Sequence, residues 1–107
     1  MKPKRMIGGS PVLALSGGEF MLTDHAIYRA KSRGMTCAEL LDVLDMPEKV
    51  VAPTARSQYY GEPVLRYVKG KWAVVVDYAA PVMVVVTVLF TDAVSWAEWN
   101  AKNGIAR

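Results

Sequence analysis

The side chains best suited to chemistry lie in one stretch, Thr23 to Gly34, which contains the only histidine of the chain. Arg29 and Arg33 follow His25 at i+4 and i+8. Residues four apart stack along one face of a helix, so a helix would place these three side chains in a stripe. The imidazole is a general acid or base near neutral pH, and arginines bind phosphate. This set suits RNA cleavage, in which a base removes the 2′-hydroxyl proton and cations stabilise the charged transition state.

A structural role for the same stripe stays open. In that interpretation His25 only begins the helix, and Arg29 and Arg33 lie in solvent or hold the helix to a sheet through Asp77. Motifs of this length often match by chance. What separates the two interpretations is whether the stripe converges with other cations in one cleft.

Three predicted valine-containing strands supply the second group of candidates. Arg66, Asp77 and Thr87 are predicted on one sheet face, where Arg66 would be a further catalytic cation. Asp77 in such a strand is costly to bury without a partner, so an ion pair with Arg66 is the structural alternative. The substrate-binding candidates are Tyr60, Thr87 and Lys69. Their structural alternatives are a strand former for Thr87 and a core or rim residue for Tyr60.

Other reactive or aromatic side chains are assigned structural roles. Cys37, at the first turn of a helix, has no second cysteine as partner. Trp96 and Trp99 are three residues apart and are predicted to pack as one apolar ridge. With a single histidine and a single cysteine, a zinc site is not expected, and we predict no metal and no cofactor.

The composition describes an ordinary globular domain. The chain has 107 residues, 52% of them hydrophobic and 21% charged, with a net charge of +3. No apolar run reaches the ~20 residues of a membrane span, so no membrane partner is expected. A lone cysteine and a poor signal peptide favour the cytoplasm. The mild positive charge permits an anionic partner without requiring one.

Capping signals predict two short helices. Thr23 or Asp24 begins the first and Gly34 ends it, while Thr36 and Glu39 form a capping box for the second, which Pro47 ends. Strands are predicted at Lys49–Ala52, Val64–Lys69, Trp72–Tyr78 and Val82–Phe90, with a short one at 58–60. In the predicted register Arg66 lies opposite Val75, Tyr78 opposite Val82 and Ala73 opposite Thr87. The opposite face of the sheet then carries Leu65, Tyr67, Trp72, Val74, Val76, Val84 and Val86. If the first helix packs beside the face of Arg66, Asp77 and Thr87, the stripe forms half of a site.

The predicted fold class is α+β, with two short N-terminal helices packed on an antiparallel meander sheet, plus a C-terminal helix over residues 93–102. Residues 1–19 are predicted as a basic tail with a possible edge strand at Pro11–Leu15. Residues 20–107 are predicted as a single domain.

Over residues 20–91 the chain resembles a family of small domains formerly of unknown function. That family carries an H-A-x-x-R-x-x-x-R-G-(I/M)-(S/T) helix, matched here by His25-Ala26, Arg29 and Arg33-Gly34-Met35-Thr36. Later pieces match at Pro47-Glu48, Tyr59-Tyr60-Gly61, Val64-Leu65-Arg66-Tyr67, Trp72 to Asp77 and Val86-Thr87-Val88. Met46 departs from the usual Asn or Asp before the proline. The family resembles the BrnT toxins and, more remotely, the RelE/ParE superfamily.

The resemblance implies a metal-independent endoribonuclease toxin that inhibits growth and is neutralised by a cognate antitoxin. The positions it implies for the site are His25, Arg29, Arg33, Tyr60, Arg66 and Thr87. RNA and the antitoxin are then the expected partners, and a homo-oligomer also fits. The alternative is a non-catalytic phage or mobile-element protein that binds and inhibits a host protein, through Trp96 and Trp99 or an exposed strand edge.

Overall fold

A seven-stranded sheet forms the centre of the fold, with strands in the order β1-β2-β3-β7-β6-β5-β4. The computed structural model describes residues 5–7, 9–52, 63–79 and 82–91. Its elements are β1 (Arg5–Ile7), β2 (Ser10–Leu15), β3 (Gly18–Leu22), α1 (Asp24–Ser32), α2 (Cys37–Asp45), β4 (Lys49–Val51), β5 (Val64–Lys69), β6 (Trp72–Asp77) and β7 (Met83–Phe90).

The predicted fold class is wrong, because the sheet is mixed and the helices do not stand at its N-terminal end. Strands β1, β2 and β3 precede the helices and pair antiparallel with one another. Strand β3 then runs parallel to β7, where Phe20 faces Met83 and Leu22 faces Val85. A parallel pair needs a long crossover, and here the two helices and three strands lie in that connection.

The first strands gave weak sequence signals. The segment predicted as a tail contains β1 and β2, and the predicted lead-in to the first helix belongs to β3. Each is short and flanked by glycines, and their pairing depends on distant chain rather than on a local pattern. On this side of the sheet the edge strand is β1, not the Pro11–Leu15 segment. The predicted C-terminal helix at 93–102 and strand at 58–60 lie outside the described residues.

The two predicted helices are confirmed with their caps. The Thr23 hydroxyl accepts the Ala26 amide at 3.1 Å, and Thr36 and Glu39 form both bonds of the capping box. Helix α1 ends in a Schellman motif, in which Gly34 has a φ of 81° and the Met35 amide donates to the Ala30 carbonyl at 2.8 Å. Only glycine adopts that φ without strain, which explains why the helix stops there.

The helices bury one face of the sheet. Helix α1 lies on β7, and α2 lies on β5 and β6. The resulting core contains Leu13, Phe20, Leu22, Ala26, Ala30, Met35, Leu40, Val43, Leu44, Tyr67, Trp72, Val74, Val76, Val85 and Val88. Val75 and Val12 are fully buried although neither belongs to this core. Burial on both faces accounts for the unbroken apolar run of β6.

The predicted register is confirmed for β5–β6 and wrong for β6–β7. Arg66 does face Val75, but Thr87 also faces Val75 rather than Ala73. A β-bulge between Val75 and Val76 shifts the ladder by one residue. The β7 valines that share the face of Tyr67 and Val76 are therefore Val85 and Val88, not the predicted Val84 and Val86. The helices cover this face and not, as the sequence suggests, the face of Arg66. At Thr87 the observed register differs from the predicted one by two residues, Val75 in place of Ala73. An even shift keeps a side chain on the same face, so Arg66, Asp77 and Thr87 share a face as predicted.

Thr23 joins α1 to the sheet, and its removal should destabilise the protein. Its hydroxyl accepts the cap bond and donates to the Val85 carbonyl at 2.7 Å. We expect Thr23→Ala to lower the free energy of unfolding by about 2 kcal/mol, the sum of a lost cap and a lost hydrogen bond. Urea denaturation measures this loss. Thr23→Ser keeps the hydroxyl and is the control; equal losses in both variants would contradict the assignment.

Candidate functional site

The first turns of α1 present the exposed part of the predicted stripe. His25 is exposed and Arg29 is half-buried one turn further on. The core-facing residues of this helix are Ala26 and Ala30, so the stripe and the buried face lie on different sides. The site at this end of α1 is therefore an accessible imidazole with a guanidinium as its neighbour.

Arg33 has a different environment from the other two members of the stripe. Only 8% of the residue is exposed, and its guanidinium lies over the Phe90 ring, 5.7 Å from the centroid. Phe90 in turn stacks on Trp72 at 5.3 Å. Burial first, and then repulsion from Arg29, lower the pKa of the Arg33 guanidinium. Arginine stays protonated at any physiological pH, so Arg33 holds the end of α1 against the sheet as a buried cation.

Arg66 and Thr87 lie on the sheet face opposite the helices. Arg66 on β5 and Thr87 on β7 are each paired with Val75 on β6. Their side chains therefore lie on the face opposite that of their neighbours Tyr67 and Val88, which face the helices. Arg66 also lines a cleft of about 230 Å³ with Lys49 and Thr91. This cleft brings together two cationic side chains, which can bind phosphate, while the Thr91 hydroxyl donates to the Gly70 carbonyl at 3.0 Å.

The structure thus divides the predicted site residues between two faces. His25, Arg29 and Arg33 lie on the helix side of the sheet, whereas Arg66 and Thr87 lie on the other. Lys69 bonds to Asp42 at 2.8 Å, a contact to α2. The Asp77 carboxylate accepts the Ala79 amide at 2.8 Å and so stabilises the turn after β6. Tyr60, Trp96 and Trp99 lie outside the described residues.

Sequence reasoning missed several charged residues beside these sites. Strand β4 pairs with β5, and Lys49 lies opposite Val68. Val68 is two residues from Arg66 and shares its face, so Lys49 lies on that face as well. Strand parity would have indicated this, had the β4–β5 pairing been predicted. Lys71 lies over the Trp72 ring at 5.1 Å, and the Trp72 indole donates to Glu39 at 3.4 Å. No local pattern predicts the contact between Trp72 and Glu39, since helix α2 and the β5–β6 hairpin are far apart in sequence.

A further cavity lies between the β2–β3 hairpin and the two helices. It has a volume of about 430 Å³. Its described lining is Pro11, Leu13, Leu22, Ile27, Ala30, Lys31, Met35, Cys37, Leu40 and Leu41. The lining is apolar apart from Lys31 and Cys37, both of which are exposed. Clefts of this size and composition are typical of sites for small apolar ligands.

Comparison of the chain with family models, curated proteins and solved structures finds no significant match. Within the described ranges, no group of three or more His, Cys, Asp or Glu side chains could hold a metal ion. Neither described helix is long and apolar enough to cross a bilayer. The candidate sites therefore rest on their own geometry.

The Glu39 carboxylate links stability to pH. The hydrogen bond that the Thr36 amide donates to this carboxylate is the main reason that the pKa of Glu39 lies below its usual value. A lowered folded-state pKa stabilises the fold above the unfolded pKa of about 4.3 and loses that contribution as the pH falls through the folded pKa. We expect Glu39→Gln, which keeps the acceptor, to flatten the loss of unfolding free energy measured by urea denaturation below about pH 4.3.

Asp45 provides an independent arm of that experiment. The Ser16 amide donates to its carboxylate at 2.8 Å, and this backbone bond is the main reason that its pKa is lowered. Asp45→Asn should flatten the same acidic limb, and the double variant should flatten it further. An acidic limb in Glu39→Gln as steep as that of the wild type would contradict the role of the capping-box carboxylate.

Arg33 and Arg29 should differ in their contribution to stability. Arg33→Ala removes a buried stem and a cation–π contact, so we expect the free energy of unfolding to fall by about 2 kcal/mol. Arg29→Ala is the matched control on the same helix and should change it by less than about 0.5 kcal/mol. Urea denaturation of both variants checks this; similar losses would show that the stripe acts as one unit.

Proposed function

We propose that the protein is a metal-independent endoribonuclease of the toxin type, with His25 as general acid or base and Arg29 as its phosphate contact. The observation that carries the proposal is the exposed imidazole in the first turn of α1 with a guanidinium one turn away. The family resemblance of residues 20–91 supports the same activity. RNA and a cognate antitoxin are the proposed partners, and the cytoplasm is the proposed compartment.

The chemistry needs little more than these two side chains. The neutral His25 imidazole accepts the 2′-hydroxyl proton, and the 2′ oxygen attacks the adjacent phosphorus. The bond from phosphorus to the 5′ oxygen breaks, leaving a 2′,3′-cyclic phosphate, and solvent protonates the departing 5′ oxygen. Arg29 donates to the non-bridging oxygens, where negative charge accumulates.

The remaining site residues take supporting roles in this proposal. Arg33 acts as a positioning residue, since its contact with Phe90 fixes the C-terminal end of α1. Arg66 and Lys49 bind the RNA backbone at their cleft on the other sheet face, at a distance from the cleaved bond. Thr87 is only 6% exposed and takes a structural role in β7. Tyr60 and Lys69 stay proposed substrate contacts. A long single strand could reach both faces by passing around the sheet edge.

A second candidate function is a non-catalytic inhibitor of a host protein. The observation that favours it is exposed apolar surface at Tyr28 and Met46, each 65% exposed. The sheet edges favour it less, because β1 and β4 have three residues each and β4 carries Lys49. This function predicts growth inhibition that survives the loss of His25 and is lost with Tyr28 or Met46.

Cleavage of RNA by purified protein tests the catalytic proposal. We expect His25→Ala to slow cleavage by about 10²–10⁴-fold, the usual contribution of a general base. Arg29→Ala should slow it as well, through weaker stabilisation of the transition state. The product, a 2′,3′-cyclic phosphate end, distinguishes this chemistry from a contaminating hydrolase that leaves other ends.

Tyr28→Ala is the matched control, because it lies on the same helix and is exposed without a role in the proposed chemistry. Growth on induced expression is recorded for the same variants. Absence of RNA cleavage by the wild type, or undiminished cleavage by His25→Ala, would overturn the proposal. Growth inhibition without cleavage that depends on Tyr28 would establish the second function instead.

A further inference from the structure

Buried core side chains form part of the wall of the cavity between the β2–β3 hairpin and the helices. Leu13, Leu22, Met35 and Leu40 belong to the core and are at most 5% exposed. Ser16, in the turn between β2 and β3, donates from its amide and its hydroxyl to Asp45 at the end of α2, at 2.8 and 2.6 Å. These bonds tie the hairpin to the helix beside the cavity.

The chemistry of the lining is amphipathic. The walls supply aliphatic and thioether surface, and Lys31 is the charged residue among the described lining side chains. Lys31 is exposed, so its ammonium reaches water while its carbon stem covers apolar wall. A ligand that matches this distribution has an aliphatic body and one negative group at its end.

We propose that the cavity binds an aliphatic monocarboxylate, with its chain between α1 and α2 and its carboxylate at Lys31. A volume of about 430 Å³ lies at the lower end of the range of about 300–1,000 Å³ that is typical of small-molecule sites. Chains of about eight to ten carbons are therefore the first to test. Filling the space restores dispersion contacts that the walls of an empty cavity lack. This site is separate from the His25 and Arg66 sites.

Chain length and head group provide the test. Each methylene added to the ligand should tighten binding about fourfold, so octanoate should bind about 16-fold more tightly than hexanoate. Octanoate should bind more tightly than octanol, and octanol more tightly than octylamine, because Lys31 attracts a carboxylate and repels an ammonium. Binding is read from protection of Cys37, the only cysteine of the chain, against alkylation by iodoacetamide.

Two variants locate the ligand. Lys31→Glu should reverse the order of octanoate and octylamine, while Lys71→Glu, the same charge change outside the lining, should preserve it. Ile27→Trp should fill the opening and abolish the protection; circular dichroism and a urea titration confirm that each variant is folded. The rate of alkylation in denatured protein controls for direct effects of the ligand on the reagent.

Three results with the head-group series and the variants would overturn the proposal, and one with a peptide probe. The first three are no protection by octanoate, equal protection by all three head groups in the wild type, and protection that persists in a folded Ile27→Trp variant. Protection by an apolar peptide but not by octanoate would likewise overturn it, because the cavity would then be a protein docking site. Loss of RNA cleavage has no bearing on these results, so the two proposals fail independently.

Discussion

The parallel pairing of β3 with β7 is the constraint on which the rest of the structure depends. It joins the N-terminal hairpins to the C-terminal strands and makes one sheet of both. Thr23 follows β3 directly, and its hydroxyl both caps α1 and donates to Val85 on β7. The start of α1 is thereby fixed over the strand that it covers. Both the imidazole of His25 and the cavity beside α1 take their positions from this junction.

The bulge between Val75 and Val76 is the second determinant of the arrangement. It turns Val85 and Val88 toward the helices and leaves Thr87 on the face of Arg66. Without the bulge, side chains would alternate strictly along β7, with even-numbered residues on one face and odd-numbered residues on the other. The irregularity thus lets a nearly uniform valine strand serve two environments, a helix-covered core and a face with cationic side chains.

The arginines show how one sequence motif can carry different physical roles. Arg29 is half-buried beside an exposed histidine, whereas Arg33, one turn later, is buried over Phe90 and its pKa is lowered by desolvation. Near the C-terminal end of α1, Arg33 lies over Phe90 of β7, which stacks on Trp72 of β6. The last residue of the stripe is therefore buried. Arg66 lies on the opposite face of the sheet. His25, Arg29, Arg33 and Arg66 therefore do not form one compact catalytic cluster.

Local chemistry in the sequence determined the helices, their caps, the β5–β6 pairing and the shared face of Arg66 and Thr87. Each depends on neighbours within a few residues or on strand parity, which an even slip in register preserves. Only the tertiary structure decided the parallel β3–β7 pair, the bulge, the burial of Arg33, the Lys49–Arg66 cleft and the cavity at Lys31. These depend on contacts between segments far apart in the chain, where backbone pairing carries no residue code and packing selects among many arrangements.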